Sequence, residues 1–390
     1  MSASDRMPID DSASRPARGA PPPLQVERGT CYLHLAYDVG LAIDLDAVER
    51  HVTADLQRES IRHKRRAPYY FEYQPPPLRI TQSVPPIHIG DHATDPTVDA
   101  VVYHFGAVSV QYSIPIRGPL ADLRPLSDEL YHSRPLLDAS REMVETLVRS
   151  IRPAIAKPGL SSLVEDYAIY QIESLTPALT PGAVIQEHAL LLAQILRAES
   201  APLSSQEVDD ALACHISFGP DDRTLIDWNA ALLFDRDADD VRAVLEFANV
   251  ELLEMRFLDD RLDQALDHAY EATARHSRRW SALFTGSKAA DLGRIAGLQT
   301  DSALLYEGVN NALKLLGDQY LARVHRLVSQ RFHLNDWDQS ILRKLQTIES
   351  IYEKISDRHA NRRLELLEWI IILLIAIEIL MPFIPGLARR

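Results

Sequence analysis

The sequence predicts an α+β fold in which a mixed α/β domain is followed by a long helical stalk and one C-terminal transmembrane helix. Three observations support this prediction. Strand and helix patterns alternate over residues 28–235, helical periodicity alone continues over 236–361, and residues 362–390 contain a long apolar run. Residues 1–27 are rich in Pro, Ser and Asp and lack an apolar segment, so we expect a disordered leader and no signal peptide.

The elements of the N-terminal domain follow from local patterns. Residues 31–37 are a predicted strand, and Asp44 is placed to cap the helix that follows it. Residues 100–114 carry the strongest strand pattern, with Gly106 at a predicted bulge or tight turn. Residues 224–234 are compatible with a strand pair or with one strand leading into a turn. Further helices are predicted at 118–131, 135–150, 182–198 and 204–213, and a further strand at 164–173.

The stalk is predicted from apolar residues that recur at alternating spacings of four and three. In the first helix they are Val241, Leu245, Ala248, Leu252 and Met255. A second helix is predicted from residue 305 and a third from residue 341, after a break at 333–336. Such coiled-coil seams are typical of helices that pack within one chain and also of helices that join copies in a homo-oligomer. The sequence leaves both arrangements open.

The apolar run from Trp369 to Leu387 predicts the transmembrane helix. Nineteen residues in a helix span about 28 Å, close to the hydrocarbon thickness of a bilayer. Arginine pairs at 362–363 and 389–390 flank the run. The alternative is a buried core helix, but a core helix is rarely apolar all round at a chain end between arginines.

The distribution of basic residues predicts the orientation of the protein. Four of them (Lys354, Arg358, Arg362 and Arg363) closely precede the run and two follow it. The positive-inside rule then places the body in the cytoplasm or on the matrix side of an organelle. The lipid bilayer is therefore a predicted partner, with a protein at the membrane as a further candidate.

Composition excludes some classes of function. The net charge of −14 argues against a general nucleic-acid binder, whose contact domain is usually basic. Cys31 and Cys214 lie far apart and form no paired motif, which indicates a reducing compartment.

One basic patch is a candidate contact for an anionic partner. Its residues are Arg62, Lys64, Arg65 and Arg66, and aromatic residues follow it closely. The alternative is a solvated helix end beside core aromatics.

No catalytic constellation is recognisable, so we predict no enzyme activity, no cofactor and no metal site. His88 and His92 flank Gly90, which argues against a shared helix face, and a metal site usually needs three or four converging ligands. Glu378 lies within the apolar run, where a lone carboxylate costs about 2.5–3.5 kcal/mol. We interpret Glu378 and Trp369 as membrane or oligomer contacts. A pore-lining acid or a merely tolerated polar residue remains an alternative for Glu378.

Three segments resemble the "domain of unknown function 155" family, relatives of the "required for meiotic nuclear division" and sporulation-associated membrane proteins. Residues 103–110 resemble its Phe-Gly-x-Val segment, residues 245–263 its helical segment, and residues 366–378 its Leu-Glu-x-Ile-Ile tail. The resemblance covers residues 100–385 loosely. It implies a membrane-anchored, non-enzymatic protein, and organellar members are associated with translation at the mitochondrial inner membrane. It supplies no catalytic residues.

Together these observations predict a membrane-anchored, homo-oligomeric scaffold or tether. One alternative is a channel or transporter subunit, since magnesium channels of the CorA type combine an α/β body, a stalk helix and a membrane helix. The single span and the lack of a Gly-Met-Asn filter motif argue against it. The other alternative is an enzyme whose site the sequence does not reveal.

Overall fold

The chain folds into a sheet-rich N-terminal region followed by helices, which confirms the predicted α+β class. The structure is a computed structural model. It describes residues 23–51, 55–58, 75–131, 133–278 and 319–351, with isolated helical positions between 297 and 307 and between 371 and 375.

Thirteen strands lie in the described residues. They are β1 (Gln25–Asp38), β2 (Ala42–Ile43), β3 (Asp55–Arg58), β4 (Leu78–Ser83), β5 (His88–Ile89), β6 (His92–Ala93), β7 (Thr97–Val102), β8 (Ala107–Pro119), β9 (Ile155–Ala156), β10 (Val164–Thr176), β11 (His215–Ile216), β12 (Arg223–Ile226) and β13 (Ala230–Phe234). Nine of them form one sheet in the order β11-β12-β13-β10-β1-β8-β7-β4-β3. Two short pairs, β2 with β9 and β5 with β6, stand apart from it.

The first strand of the chain is the centre of the sheet. Leu33 of β1 pairs with Tyr112 of β8 on one side and with Ala168 of β10 on the other, both antiparallel. β10 and β13 are parallel neighbours. A parallel pair needs a long crossover connection, and here the connection contains two helices.

The helices up to α5 belong to the N-terminal region. They are α1 (Leu45–His51), α2 (Leu123–Tyr131), α3 (Arg134–Ile151), α4 (Pro181–Arg197) and α5 (Ser205–Ala213). Residues of α2, α3 and α4 share an apolar core with one face of the sheet. Leu33, Leu35 and Tyr37, which alternate along β1, all lie in this core, because successive strand residues point to opposite faces.

Three helices cover the opposite face of the sheet. They are α6 (Asp239–Arg278), α7 (Gln319–Arg331) and α8 (residues 334–351). Ala36 and Val101 of the sheet pack with Phe247 of α6 and Ile341 of α8. The body is thus a sheet between two helical layers.

The seam predicted along α6 is buried within the chain itself. Val241 and Leu245 pack against Ile169 and Leu233 of the sheet and against Val324 of α7. Packing within one chain therefore accounts for these seam residues. The homo-oligomer and the predicted division between domain and stalk at residue 235 stay predictions.

Several local signals are confirmed. The Asp44 carboxylate accepts a hydrogen bond of 3.0 Å from the Ala47 amide at the start of α1. Gly106, with φ +104°, lies in the turn between β7 and β8. Residues 224–234 fall in the antiparallel pair β12–β13, so the strand-pair interpretation is the correct one.

The predicted membrane segment lies almost entirely outside the described residues. Within the described ranges, no helix combines the length and the apolar character that crossing a bilayer requires.

Candidate functional site

A cluster of charged and polar side chains is buried between the sheet and α6. His34 and Asp38 project from β1, and Glu246 and Glu254 project from α6. Ser109 of β8, fully buried, lies in the same layer because it pairs with Ala36 of β1. We call these five residues the buried polar cluster. Polar groups are rarely buried together without hydrogen-bonding partners, so such a cluster marks a candidate site.

His34 and Glu246 form an ion pair at one end of the buried polar cluster. The His34 Nδ1 and Glu246 Oε1 atoms are 3.4 Å apart, without the geometry of a good hydrogen bond. Burial acts to raise the pKa of the Glu246 carboxyl, but His34, Arg79 and Ser109 together lower it to about 2. Glu246 is therefore ionised at neutral pH despite its burial.

Asp38 and Glu254 form the other end, and both carboxyls are almost fully buried. Among the described residues, none donates a hydrogen bond to Asp38 Oδ2 or to either carboxyl oxygen of Glu254. Burial raises the pKa of Asp38 to about 8, and Arg261 offsets this only in part. Burial and the charge of Asp38 raise the pKa of Glu254 well above its usual range.

These shifts make the two carboxyls a proton-holding pair. Two acids that share a buried site do not both ionise readily, and their protons leave in steps that belong to the pair. At pH 7 the carboxyl of Asp38, with a pKa of about 8, is mostly protonated and can donate a hydrogen bond. This is the behaviour of a general acid or of a binding group for an anion.

The Asp38 end of the cluster adjoins a cavity of about 250 Å³. Arg261 of α6 and Lys157 of the segment before β10 bring positive charge to its wall. The other lining residues are Gly40, Leu41, Gly159, Leu160, Ser161, Phe257 and Leu258. The cavity therefore combines two cations, a protonated carboxyl and an apolar surface.

Backbone hydrogen bonds fix the loop that forms the cavity floor. The Val39 amide donates to Gly106 O at 2.9 Å, and the Ser161 amide donates to Asp38 O at 3.0 Å. Gly106 must be glycine, because a Cβ there would lie 1.8 Å from Gly40 O. The Asp38 backbone is thus held from two sides.

A second ionic cluster has a structural role. The carboxylate of Asp227, fully buried in the turn between β12 and β13, contacts two arginines. Its Oδ1 lies 2.6 Å from Arg331 Nε of α7, and its Oδ2 lies 3.1 Å from Arg197 Nε of α4. Exposed Asp210 of α5 joins the same arginines, 2.7 Å from Arg331 and 2.5 Å from Arg197. The cluster fastens α4, α5 and α7 to the sheet.

The residues predicted as contacts from the sequence lie outside the described residues. This holds for Trp369 and Glu378 and for the basic patch of Arg62, Lys64, Arg65 and Arg66. His88 and His92 lie in the short β5–β6 pair. In the described part of the chain, no three His, Cys, Asp or Glu residues are grouped so as to hold a metal ion.

The sequence patterns did not lead to a prediction of the buried polar cluster, although α6 carries a signal for it. Glu246 and Glu254 are two turns apart on a helix whose neighbouring positions Leu245, Leu253 and Leu258 are buried. Acids are almost never fully buried unless they are paired, so acids inside an apolar stripe are a signal for a buried polar site.

The fold and this site define a three-layer α+β protein with acidic groups in its interior. The chain belongs to the family described as "Uncharacterized protein MJ0711, N-terminal domain", whose model matches residues 28–240. It is 23% identical over 243 residues to "Uncharacterized protein MJ0711" of Methanocaldococcus jannaschii, covering 62% of this chain and 72% of that relative. No solved structure matches the chain.

These matches correct the resemblance drawn from the sequence. The assignment to the domain-of-unknown-function-155 family is wrong, because the matching family model is a different one and the relative does not point to that family. Short apolar tails and isolated Phe-Gly pairs recur in unrelated proteins through composition alone, so they do not identify a family.

Proposed function

We propose that this protein is a membrane-held, non-enzymatic tether. Its three-layer body is kept at a bilayer by the apolar run of residues 369–387. One observation carries the proposal: Ile371, Ile372, Leu374 and Ile375 are helical and expose 54%, 54%, 59% and 49% of their surface.

The exposure of these four residues favours a lipid-facing helix over a core helix. At about 100° per residue, positions 371, 372, 374 and 375 spread over about 160° of a helix circumference. A core helix buries the aliphatic side chains of such a sector, whereas these are half uncovered. Contiguous aliphatic surface of this kind indicates contact with lipid or with another protein.

The energetic argument is one of apolar area. Burying an exposed aliphatic side chain completely contributes about 1.5–3 kcal/mol. Four half-exposed residues therefore supply several kcal/mol, and the run around them is apolar at nearly every position. Arginines at 362–363 and 389–390 bracket the run at the spacing of the two bilayer surfaces.

Orientation and assembly are part of the same proposal. The basic residues before the run keep the body in the cytoplasm or on the matrix side. Copies associate through the apolar segment, where the Glu378 carboxyl is best accommodated against a second helix rather than against lipid tails. A protein partner then meets several bodies at once, which raises its effective concentration without strong single contacts.

Carbonate extraction of membranes tests the proposal. The full-length chain should stay with the membrane pellet, and a chain that ends at Asn361 should move to the supernatant. A full-length chain that is extracted like a soluble protein would overturn the proposal.

A point-variant pair sharpens this test. Replacing Ile371, Ile372, Leu374 and Ile375 together with Ser should release the protein. Replacing exposed Leu190 and Leu342 of the body with Ser should leave it in the pellet. Equal release of the two variants would show that the apolar run has no special part in membrane attachment.

A further inference from the structure

The cavity beside Asp38 has the features of a ligand site and is independent of the membrane segment. It lies at the end of β1, under α6, and the protonated carboxyl of Asp38 forms part of its wall. Glu254 lies one turn before Phe257 and Leu258 on α6, on the same side of the helix. Asp38 lines the cavity directly, whereas Glu254 is not one of its lining residues.

The charge balance of the cavity favours an anion. The basic side chains of Arg261 and Lys157 line it. Burial raises the pKa of the Asp38 carboxyl to about 8, so at pH 7 it mostly holds its proton and does not cancel this charge. A metal cation would face two bases and one acid, whereas an anion would find two basic side chains and the hydrogen-bond donor of Asp38.

The apolar wall favours an organic ligand over a simple ion. Leu41, Leu160, Phe257 and Leu258 provide it, opposite the charged side chains. The volume of about 250 Å³ lies just below the range of drug-sized pockets, which begins at about 300 Å³. The occupant must therefore be small.

We propose that this cavity binds a small organic carboxylate with a short apolar chain. Arg261 and Lys157 hold the carboxylate, the Asp38 carboxyl donates a hydrogen bond to it, and the chain lies against Leu160 and Phe257. Nothing in this proposal depends on membrane attachment, so either proposal can fail alone.

The orphaned oxygens of the carboxyl pair support this mode of binding. A buried polar atom without a partner costs about 1–3 kcal/mol. Asp38 Oδ2 and both Glu254 carboxyl oxygens lack a donor among the described residues. As a protonated acid Asp38 becomes a donor, and a carboxylate acceptor in the cavity would satisfy it.

Butyrate is the probe, titrated by ligand-observed NMR into the full-length chain in detergent at pH 6.5. We expect saturable binding of butyrate, and none of 1-butanol, which has a similar apolar chain and no charge. Saturable binding of neither, or of both equally, would overturn the proposal.

Variants locate the binding. Arg261→Gln should weaken butyrate binding by about tenfold or more, the equivalent of one lost charge-assisted hydrogen bond. Leu160→Trp should abolish binding by filling the cavity while it keeps every charge. Arg256→Gln is the matched control, because Arg256 is on the same helix but pairs with Glu165 outside the cavity. Unchanged binding in both Arg261→Gln and Leu160→Trp would overturn the proposal.

The pH dependence gives a readout that a purely structural role would not produce. Among the described residues, the titratable groups near the carboxyl of Asp38 are Glu254 and Arg261 of α6 and Lys157 of the cavity wall, while the carboxylate of Glu165 is engaged with Arg256. Above pH 8 Asp38 loses its proton and repels the ligand. Butyrate should therefore bind less tightly at pH 9 than at pH 6.5. Tighter binding at pH 9 would contradict the proposed carboxylate site.

Discussion

His34 of β1 and Glu246 of α6 form an ion pair, 3.4 Å between Nδ1 and Oε1, with side-chain exposures of only 0% and 3%. This ion pair connects the sheet to the helical layer that covers it. The other contacts between these two layers are largely apolar. Taking one charge away from such a pair leaves the other buried alone, so each partner is sensitive to change.

Glu246→Gln should destabilise the fold at neutral pH. The pKa of Glu246 lies at about 2 in the folded state, below its ordinary value of 4.5. The ionised carboxylate therefore stabilises the fold above pH 4.5, and this contribution is lost as pH falls from 4.5 to 2. We expect a loss of about 3 kcal/mol in the free energy of unfolding at pH 7. Urea denaturation at pH 7 and pH 3 measures it, and an equal loss at both would contradict this account.

Asp38→Asn should have the opposite effect. The pKa of Asp38 is raised from 3.8 to about 8, so the folded state keeps a proton that the unfolded chain releases. The contribution of Asp38 to stability therefore falls as pH rises from about 4 to 8. Asn does not titrate, and the variant should gain on the order of 1–3 kcal/mol over the parent at pH 8. The gain should be small at pH 4.5; a variant less stable than the parent at both pH values would refute the prediction.

Asp227→Asn should loosen α7 from the sheet. Its fully buried carboxylate contacts Arg331 and Arg197. The substitution removes this negative charge from beside two partly buried guanidinium groups. The expected loss is about 3–5 kcal/mol in the free energy of unfolding.

Asp210→Asn is the matched control for Asp227. Asp210 contacts the same two arginines, but its side chain is 54% exposed, so water screens the interaction. We expect a loss below about 1 kcal/mol. Thermal unfolding of both variants makes the comparison, and equal losses would show that burial does not set the strength of this cluster.

Gly106→Ala should severely impair folding. The new Cβ would lie 1.8 Å from Gly40 O, and φ of +104° is unfavourable for alanine. We expect a loss above about 3 kcal/mol. Gly182→Ala, with no atom near its Cβ position, should stay within about 0.5 kcal/mol of the parent. Circular dichroism melts compare the two, and a Gly106→Ala protein as stable as Gly182→Ala would contradict the geometry.

Local sequence signals predicted many of the elements. The alternation over residues 100–114 identified β7 and β8, because half-buried strands repeat every second residue. The Asp44 cap marked the start of α1 correctly, since a short polar side chain satisfies a free amide there. These signals depend only on near neighbours along the chain.

The candidate site was not predictable in the same way. Glu254 is a site residue because Asp38, more than 200 positions earlier, lies against it. The spacing of apolar residues along α6 does not tell which side meets the sheet, because both flanks of this helix are buried. The acids within the apolar stripe of α6 are a signal in one segment, but that segment alone does not reveal that Asp38 is their partner.

The central place of β1 also shapes how the chain is made. During synthesis, both edges of β1 can be paired only after β8 and then β10 have left the ribosome, because Leu33 pairs with Tyr112 and with Ala168. During that interval an apolar strand has open backbone groups, which are the templates on which nascent chains aggregate. The first strand therefore lacks its native partner on one edge until the third long strand has emerged.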